Sequence, residues 1–209
     1  MPHLLKSCCV VAAAMCSGCG GGTSVEPGAP PTYGFVPDLR GTTVMVFPVQ
    51  LVEDAVRRTE VDRALRFAVE EAGVDWLLPE DLEDVLARSP GVEVELRNLP
   101  VANFLQREVR RVGEPLFAYL IRLNALTGAG VAVIPIAAAA TVADSSGDAQ
   151  WTITAALIDA RGGRVAWYGA VDGERGPDGS PLPVASAAAA LMAKFVPSGS
   201  RGSGARQRH

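Results

Sequence analysis

The chain has no cysteine after Cys19 and no histidine between His3 and His209. The part beyond Cys19 therefore lacks a disulfide, a thiol nucleophile and a Cys-based metal site. Without an internal histidine it also lacks the base of a Ser-His-Asp or Cys-His arrangement and the commonest zinc ligand. No apolar run reaches the roughly 18 residues of a membrane-crossing helix. Aromatics are sparse at 6%, and the formal net charge is −4 with no basic stripe. A mildly acidic chain of this kind is a poor match for nucleic acid, so no nucleic-acid partner is expected. Glycines are plentiful, yet Gly20–Gly22 and Gly128-Ala129-Gly130 lack the strand-before and helix-after context of a phosphate loop. No cofactor and no metal are expected.

All four cysteines, Cys8, Cys9, Cys16 and Cys19, crowd the first 19 residues. Lys6 supplies a positive charge and Cys8–Cys16 an apolar stretch, too short to span a bilayer but suited to the core of an export signal. Ser17-Gly18-Cys19 closes that leader and resembles a bacterial lipobox, with Cys16 where the pattern usually has Leu. The resemblance implies that residues 1–18 are a signal peptide. It also implies that Cys19 is lipidated and becomes the mature N-terminus, anchored through acyl chains. Gly20 after the cysteine, rather than Asp, points to the outer membrane, facing the periplasm. The alternatives are an ordinary secretory leader cleaved within Ala12–Gly22 and an N-terminus that is not cleaved.

Residues 20–38 hold five glycines and four prolines, a composition that builds no core, so residues 19–38 read as the lipidated cysteine and a flexible linker. Its rms span is about 25 Å, which keeps the attached domain close to the membrane. That domain, residues 39–196, reads as a single α/β unit, and residues 197–209, rich in Gly, Ser and Arg, as a disordered tail. Thr42–Val49 is a β-branched apolar run and reads as a buried strand. Val61, Leu65, Ala68, Val69 and Ala72 recur at helical spacing, with Asp62 in the first turn and Gly73 beyond the end. Val74–Leu78 reads as a strand. Pro79 then opens a helix with Leu82, Val85 and Leu86 on its apolar face, stopped by Pro90-Gly91.

Val92–Leu96 alternates as a half-exposed strand would. Val101, Phe104, Leu105, Val109 and Val112 form a helical stripe. Leu116, Leu120 and Leu123 form another, opened by Pro115 and closed by Gly128. Val131–Val142 reads as a strand in which Pro135 implies an edge or a bulge. Trp151–Asp159 and Arg164–Asp172 flank Ala160-Arg161-Gly162-Gly163 as a hairpin. In it Ile153, Ala155 and Leu157 face Val165 and Trp167. Val184, Ala188, Leu191 and Phe195 line a closing helix. The element order predicts an α/β (α+β) fold: a single-domain mixed-sheet sandwich with helices flanking the sheet.

Val44–Val49, Trp76–Leu86, Gly130–Ile134 and above all Thr154–Trp167 carry a further resemblance. Together they resemble the CsgG/LpoB/TolB-N-terminal group of envelope lipoproteins and periplasmic domains, over about Thr42–Phe195, with residues 91–115 diverging. The resemblance implies oligomerisation and protein contact rather than chemistry, and it carries over no catalytic residue.

The remaining constellations have plainer readings. Glu80, Asp81, Glu83 and Asp84 suit the positive end of a helix dipole better than a catalytic pair. Asp144–Asp148 lacks the spacing of a calcium loop. Trp76, Trp151 and Trp167 suit sheet packing. Arg57-Arg58 and Arg107, Arg110 and Arg111 are solvated clusters, with lipid headgroups as the other reading. The expectation is a non-enzymatic envelope module that contacts the membrane through its acyl chains and binds envelope proteins or itself. The alternatives are a regulator of a cell-wall synthase, a secretion-pore subunit, or a carboxylate-dependent hydrolase.

Overall fold

Alternation along Thr43-Val44-Met45-Val46 sends Val44 and Val46 to one face of a sheet and Met45 to the other, and all three are buried. That two-sided burial organises the fold. The computed structural model describes residues 32–70, 74–106, 108–143 and 146–196. Its elements are β1 (Tyr33–Gly34), β2 (Thr43–Val46), α1 (Ala55–Glu70), β3 (Asp75–Leu77), α2 (Pro79–Ala87) and α3 (Ala102–Gln106). They continue as α4 (Leu116–Thr127), β4 (Val131–Val142), β5 (Asp148–Asp159), β6 (Val165–Asp172), β7 (Gly176–Pro177) and α5 (Pro181–Phe195). Seven strands form one mixed sheet in the order β1-β6-β5-β4-β2-β3, with β7 paired to β5. This is the mixed-sheet α/β sandwich that the element order predicts.

β2 pairs in parallel with both β3 and β4. The chain leaves β2 through α1 to reach β3, then returns through α2, α3 and α4 to β4 on the other side of β2. Connections running in opposite directions with one crossover hand must cover opposite faces. They do: Val61, Leu65 and Val69 of α1 join α5 in one core. Leu82, Phe104, Leu116, Leu120 and Leu123 of α2, α3 and α4 form the other. α5 is capped by the Ser180 hydroxyl, which accepts from Leu182 N at 3.3 Å. It seats Val184, Ala188, Leu191 and Phe195 on the sheet.

Several expectations need correction. α1 begins at Ala55, where Asp54 Oδ1 accepts from Arg57 N at 2.8 Å and caps the first turn, so Asp62 lies mid-helix. The exposed Val56 hid those first turns from the apolar pattern. Val92–Leu96 is not a strand; its Leu96 O is instead held by Gln50 Nε2 at 2.9 Å, beyond the end of β2. The stripe from Val101 to Val112 is helical only over Ala102–Gln106. Beyond it the chain extends alongside β6, where Arg111 bridges Arg164 and Val165 N donates to Arg110 O.

Pro135 sits at a register shift between Pro135 and Ala137. Flanked by β2 and β5, β4 is not an edge strand, so a bulge absorbs the missing N–H. A second shift, between Leu157 and Ile158, pairs Leu157 with Trp167 and Ile158 with Val165. Ala166 is the extra residue. It turns Val165 to the core opposite Trp167, so those two do not share a face. Finally, β1 lies within the glycine- and proline-rich stretch read as linker: Tyr33 pairs with Tyr168 and Gly34 with Trp167. Gly34 has φ +81°, and a Cβ there would lie 2.1 Å from Ala166 O, so this close approach requires glycine.

Candidate functional site

Open α/β sheets bind ligands at the carboxyl ends of parallel strands, where successive connections diverge. Here that place is the end of β2, between β4 and β3, and the chain fills most of it with itself. Residues 47–51 continue along β4, with Phe47 N on Val133 O, Gln50 N on Pro135 O and Leu51 N on Ile136 O, all at 3.0–3.1 Å. Gln50 is 4% exposed. Its Nε2 donates to Pro48 O at 2.6 Å and Leu96 O at 2.9 Å, and its Oε1 accepts from Leu99 N at 2.9 Å. One side chain thus ties residues 96–99 across the strand end. Motif and spacing do not single Gln50 out; its one mark in the sequence is a lone amide at the end of the apolar run Val44–Val49.

Beside this tie lies a cleft of about 270 Å³ between the ends of β2 and β3 and the flank of α1. Its charged groups are largely committed to one another. Asp62 accepts from Val49 N at 2.8 Å and from Arg97 Nη1 at 2.7 Å. Arg66 bonds Glu80 at 2.7 Å and Glu70 at 3.2 Å. Asp62, Arg66, Glu80 and Arg97 thus pair among themselves at its rim, and Arg63 lines it beside them.

The acidic cluster of α2 has structural partners. Asp81 Oδ2 accepts from Leu78 N at 2.8 Å and Glu80 meets Arg66, while Glu83 and Asp84 are exposed. No two of these face one another in a buried cleft. Trp151 and Trp167 are 5% and 4% exposed in the α1–α5 core, and Trp76 packs half-buried against it. Arg57 lies over the Trp151 ring, 5.5 Å from its centroid. Among the described residues no group of three or more His, Cys, Asp or Glu could hold a metal. Within the same residues no helix is long and apolar enough to cross a membrane. β4 and β5 each run 12 residues, the length of a membrane strand, but Ala132–Ala138 pack between the two helix layers.

Cys19, read from the sequence as the lipidated residue, lies outside the described residues, as do the rest of residues 1–31, Ala72, Gly73, Arg107, Asp144, Ser145 and residues 197–209. The chain leading from Cys19 joins the sheet at β1. There Tyr33 donates its hydroxyl to Val109 O and stacks on Tyr168, ring centroids 5.4 Å apart. Tyr168 stacks in turn on Phe104 at 5.7 Å and donates to Phe104 O at 2.8 Å. Burial, reinforced by the neighbouring Tyr33, pushes the Tyr168 hydroxyl up to about 12. Burial also raises Tyr33. At the surface just beyond, the Arg40 guanidinium grips Asp38 and holds its carboxyl at about 2.

No family model matches the chain, and no curated protein matches it by sequence. Among solved structures it is similar to the PelC dodecamer from Paraburkholderia phytofirmans at 12% identity and a TM-score of 0.44, over 79% of this chain and 95% of that one. It is similar to lipoprotein GNA1162 from Neisseria meningitidis at 17% identity and a TM-score of 0.42, over 66% and 85%. The hypothetical protein CT253 from Chlamydia trachomatis is similar at 13% identity and a TM-score of 0.40, over 74% and 93%.

Proposed function

We propose that the chain is an envelope lipoprotein, anchored through Cys19 in the outer membrane and facing the periplasm. Its domain works by binding envelope proteins or itself rather than by catalysis. The observation that carries this reading is Ser17-Gly18-Cys19 at the close of a charged, apolar leader. Two or more acyl chains on such a cysteine give stable anchoring where one would be marginal. The folded sheet starts at Tyr33, a short distance along the chain from Cys19. The rms span of that interval is about 20 Å, so the domain sits against its own membrane. The committed ion pairs of the β2 cleft and the capping role of Asp81 favour binding over carboxylate chemistry.

Cys19→Ala is expected to release the protein from the membrane fraction or leave its leader uncleaved, while the wild type incorporates a fatty-acid analogue. An unchanged membrane fraction in the variant, together with an unlabelled wild type, would rule the anchor out.

A further inference from the structure

The outer edge of β6 is covered by two unrelated pieces of chain laid end to end. First comes β1, with Phe35 N continuing its ladder onto Ala166 O at 3.0 Å. Next, residues 110–112 pair with residues 163–165, through Val165 N on Arg110 O at 2.9 Å and Val112 N on Gly163 O at 2.8 Å. The two pieces meet at successive positions of β6, Phe35, 67% exposed, on Ala166 and Arg110 on Val165. It also sets Arg111 directly opposite Arg164 in an antiparallel bridge. Like charges directly opposite each other on a sheet repel, because their side chains leave the same face about 5 Å apart. Both arginines are exposed, and among the described residues neither has a carboxylate within 4.0 Å. Arg110 meets Glu108 at 2.7 Å, an ion pair that is 84% exposed on the arginine side. The fold thus puts an uncompensated pair of guanidinium groups and an exposed aromatic on one sheet edge, where the chain from Cys19 joins the sheet.

We propose that this edge, Phe35 with Arg110, Arg111 and Arg164, docks onto anionic lipid headgroups of the membrane that holds the anchor. Guanidinium groups bind phosphate oxygens in bidentate geometry, and a lipid phosphate relieves the Arg111–Arg164 repulsion. Phe35 supplies the apolar contact that an interfacial surface buries among headgroups and acyl chains. The tether keeps the edge within about 20 Å of those headgroups, so each arginine meets a surface already at high local concentration. The domain is thereby oriented with the β1–β6 edge towards the bilayer and the opposite edge, β3, away from it. This docking rests on acylation at Cys19.

The test uses the acylated full chain with Phe35→Cys carrying a fluorophore. The protein is floated with phosphatidylcholine vesicles or with vesicles containing phosphatidylglycerol, and quenching is read with neutral acrylamide. Protection is expected on the anionic vesicles alone, and is lost at about 1 M salt, where the screening length falls to about 3 Å. The triple variant Arg110→Gln, Arg111→Gln, Arg164→Gln should float equally well but lose the protection. Its docking equilibrium falls about 100-fold, from the attraction of each basic residue for an anionic leaflet. Its melting temperature should not fall, since it removes a repulsive pair. Equal quenching on both vesicles, protection that survives the triple substitution, or protection without vesicles, as a protein partner would give, each overturns the docking. Failure of the acylated chain to float with neutral vesicles overturns the anchor instead, whatever the label reads.

Discussion

Replacing Gln50 isolates what holds the β2 strand end together. Gln50→Leu keeps the volume and removes three hydrogen bonds, leaving Pro48 O, Leu96 O and Leu99 N without their partner in a site where Gln50 itself is 4% exposed. An orphaned buried polar group costs about 1–3 kcal/mol, and the added apolar surface returns part of it. The expected net loss is about 2–4 kcal/mol, a large share of the 5–15 kcal/mol typical of a domain. Urea unfolding followed by tryptophan fluorescence measures it.

Gln50→Glu separates hydrogen bonding from packing. A carboxylate there would face two carbonyl oxygens, so its folded pKa rises above the unfolded value of about 4.3. The native state then binds more protons than the unfolded one, and stability falls with rising pH. Gln50→Glu should stay close to wild type below about pH 4 and lose about 1.4 kcal/mol per pH unit above that, up to its folded pKa. Gln50→Leu within about 0.5 kcal/mol of wild type, or a pH-independent Gln50→Glu, would refute the reasoning.

Two further substitutions probe the β6 strand from its two faces. Trp167→Ala removes a ring that is 4% exposed and meets Phe195 edge-on at 5.3 Å, so thermal or urea melting should show a loss of about 3–5 kcal/mol. A melting temperature within a degree or two of wild type would place Trp167 at the surface. Tyr168→Phe deletes the bond to Phe104 O and should cost about 1 kcal/mol near neutral pH. Because the Tyr168 pKa is raised to about 12, its contribution is fully present below about pH 10 and lost as pH rises through the folded value. The difference in alkaline absorbance titration between wild type and Tyr168→Phe reads that pKa directly, and an ordinary value of about 10 would contradict the burial.

The elements legible in the sequence are those whose pattern is local. β2, α2, α4, β4, the β5–β6 hairpin and α5 each carry an apolar period bounded by Pro, Gly or a capping residue. Pro79 and Gly128 mark their helix ends, Gly128 in the left-handed region at φ +75°. The elements that stay hidden depend on partners distant in sequence. β1 exists only because β6 offers an edge, and its glycine makes the stretch look like linker. Val92–Leu96 alternates like a strand but is tied through Leu96 O to Gln50 instead of joining the sheet. The extra residue at Ala166, which turns Val165 away from Trp167, leaves no mark on the alternation. Neither does the meeting of Arg111 with Arg164, 53 positions apart in the chain.

β1 also sets how the domain carries a load. Tension reaching the fold from its N-terminal side meets Tyr33 first, at the outermost and shortest strand of the sheet. An edge strand of two residues yields by peeling, one hydrogen bond after another, and no other strand has to shift. The next buried position along the chain is Leu39, 3% exposed. Peeling up to that residue frees residues 32–38, about 25 Å of additional reach at full extension. The fold therefore stores a short length of cable at its edge. It can be paid out under tension, at the cost of the Tyr33–Tyr168 stack and the packing of Val36, and rewound when the strain passes.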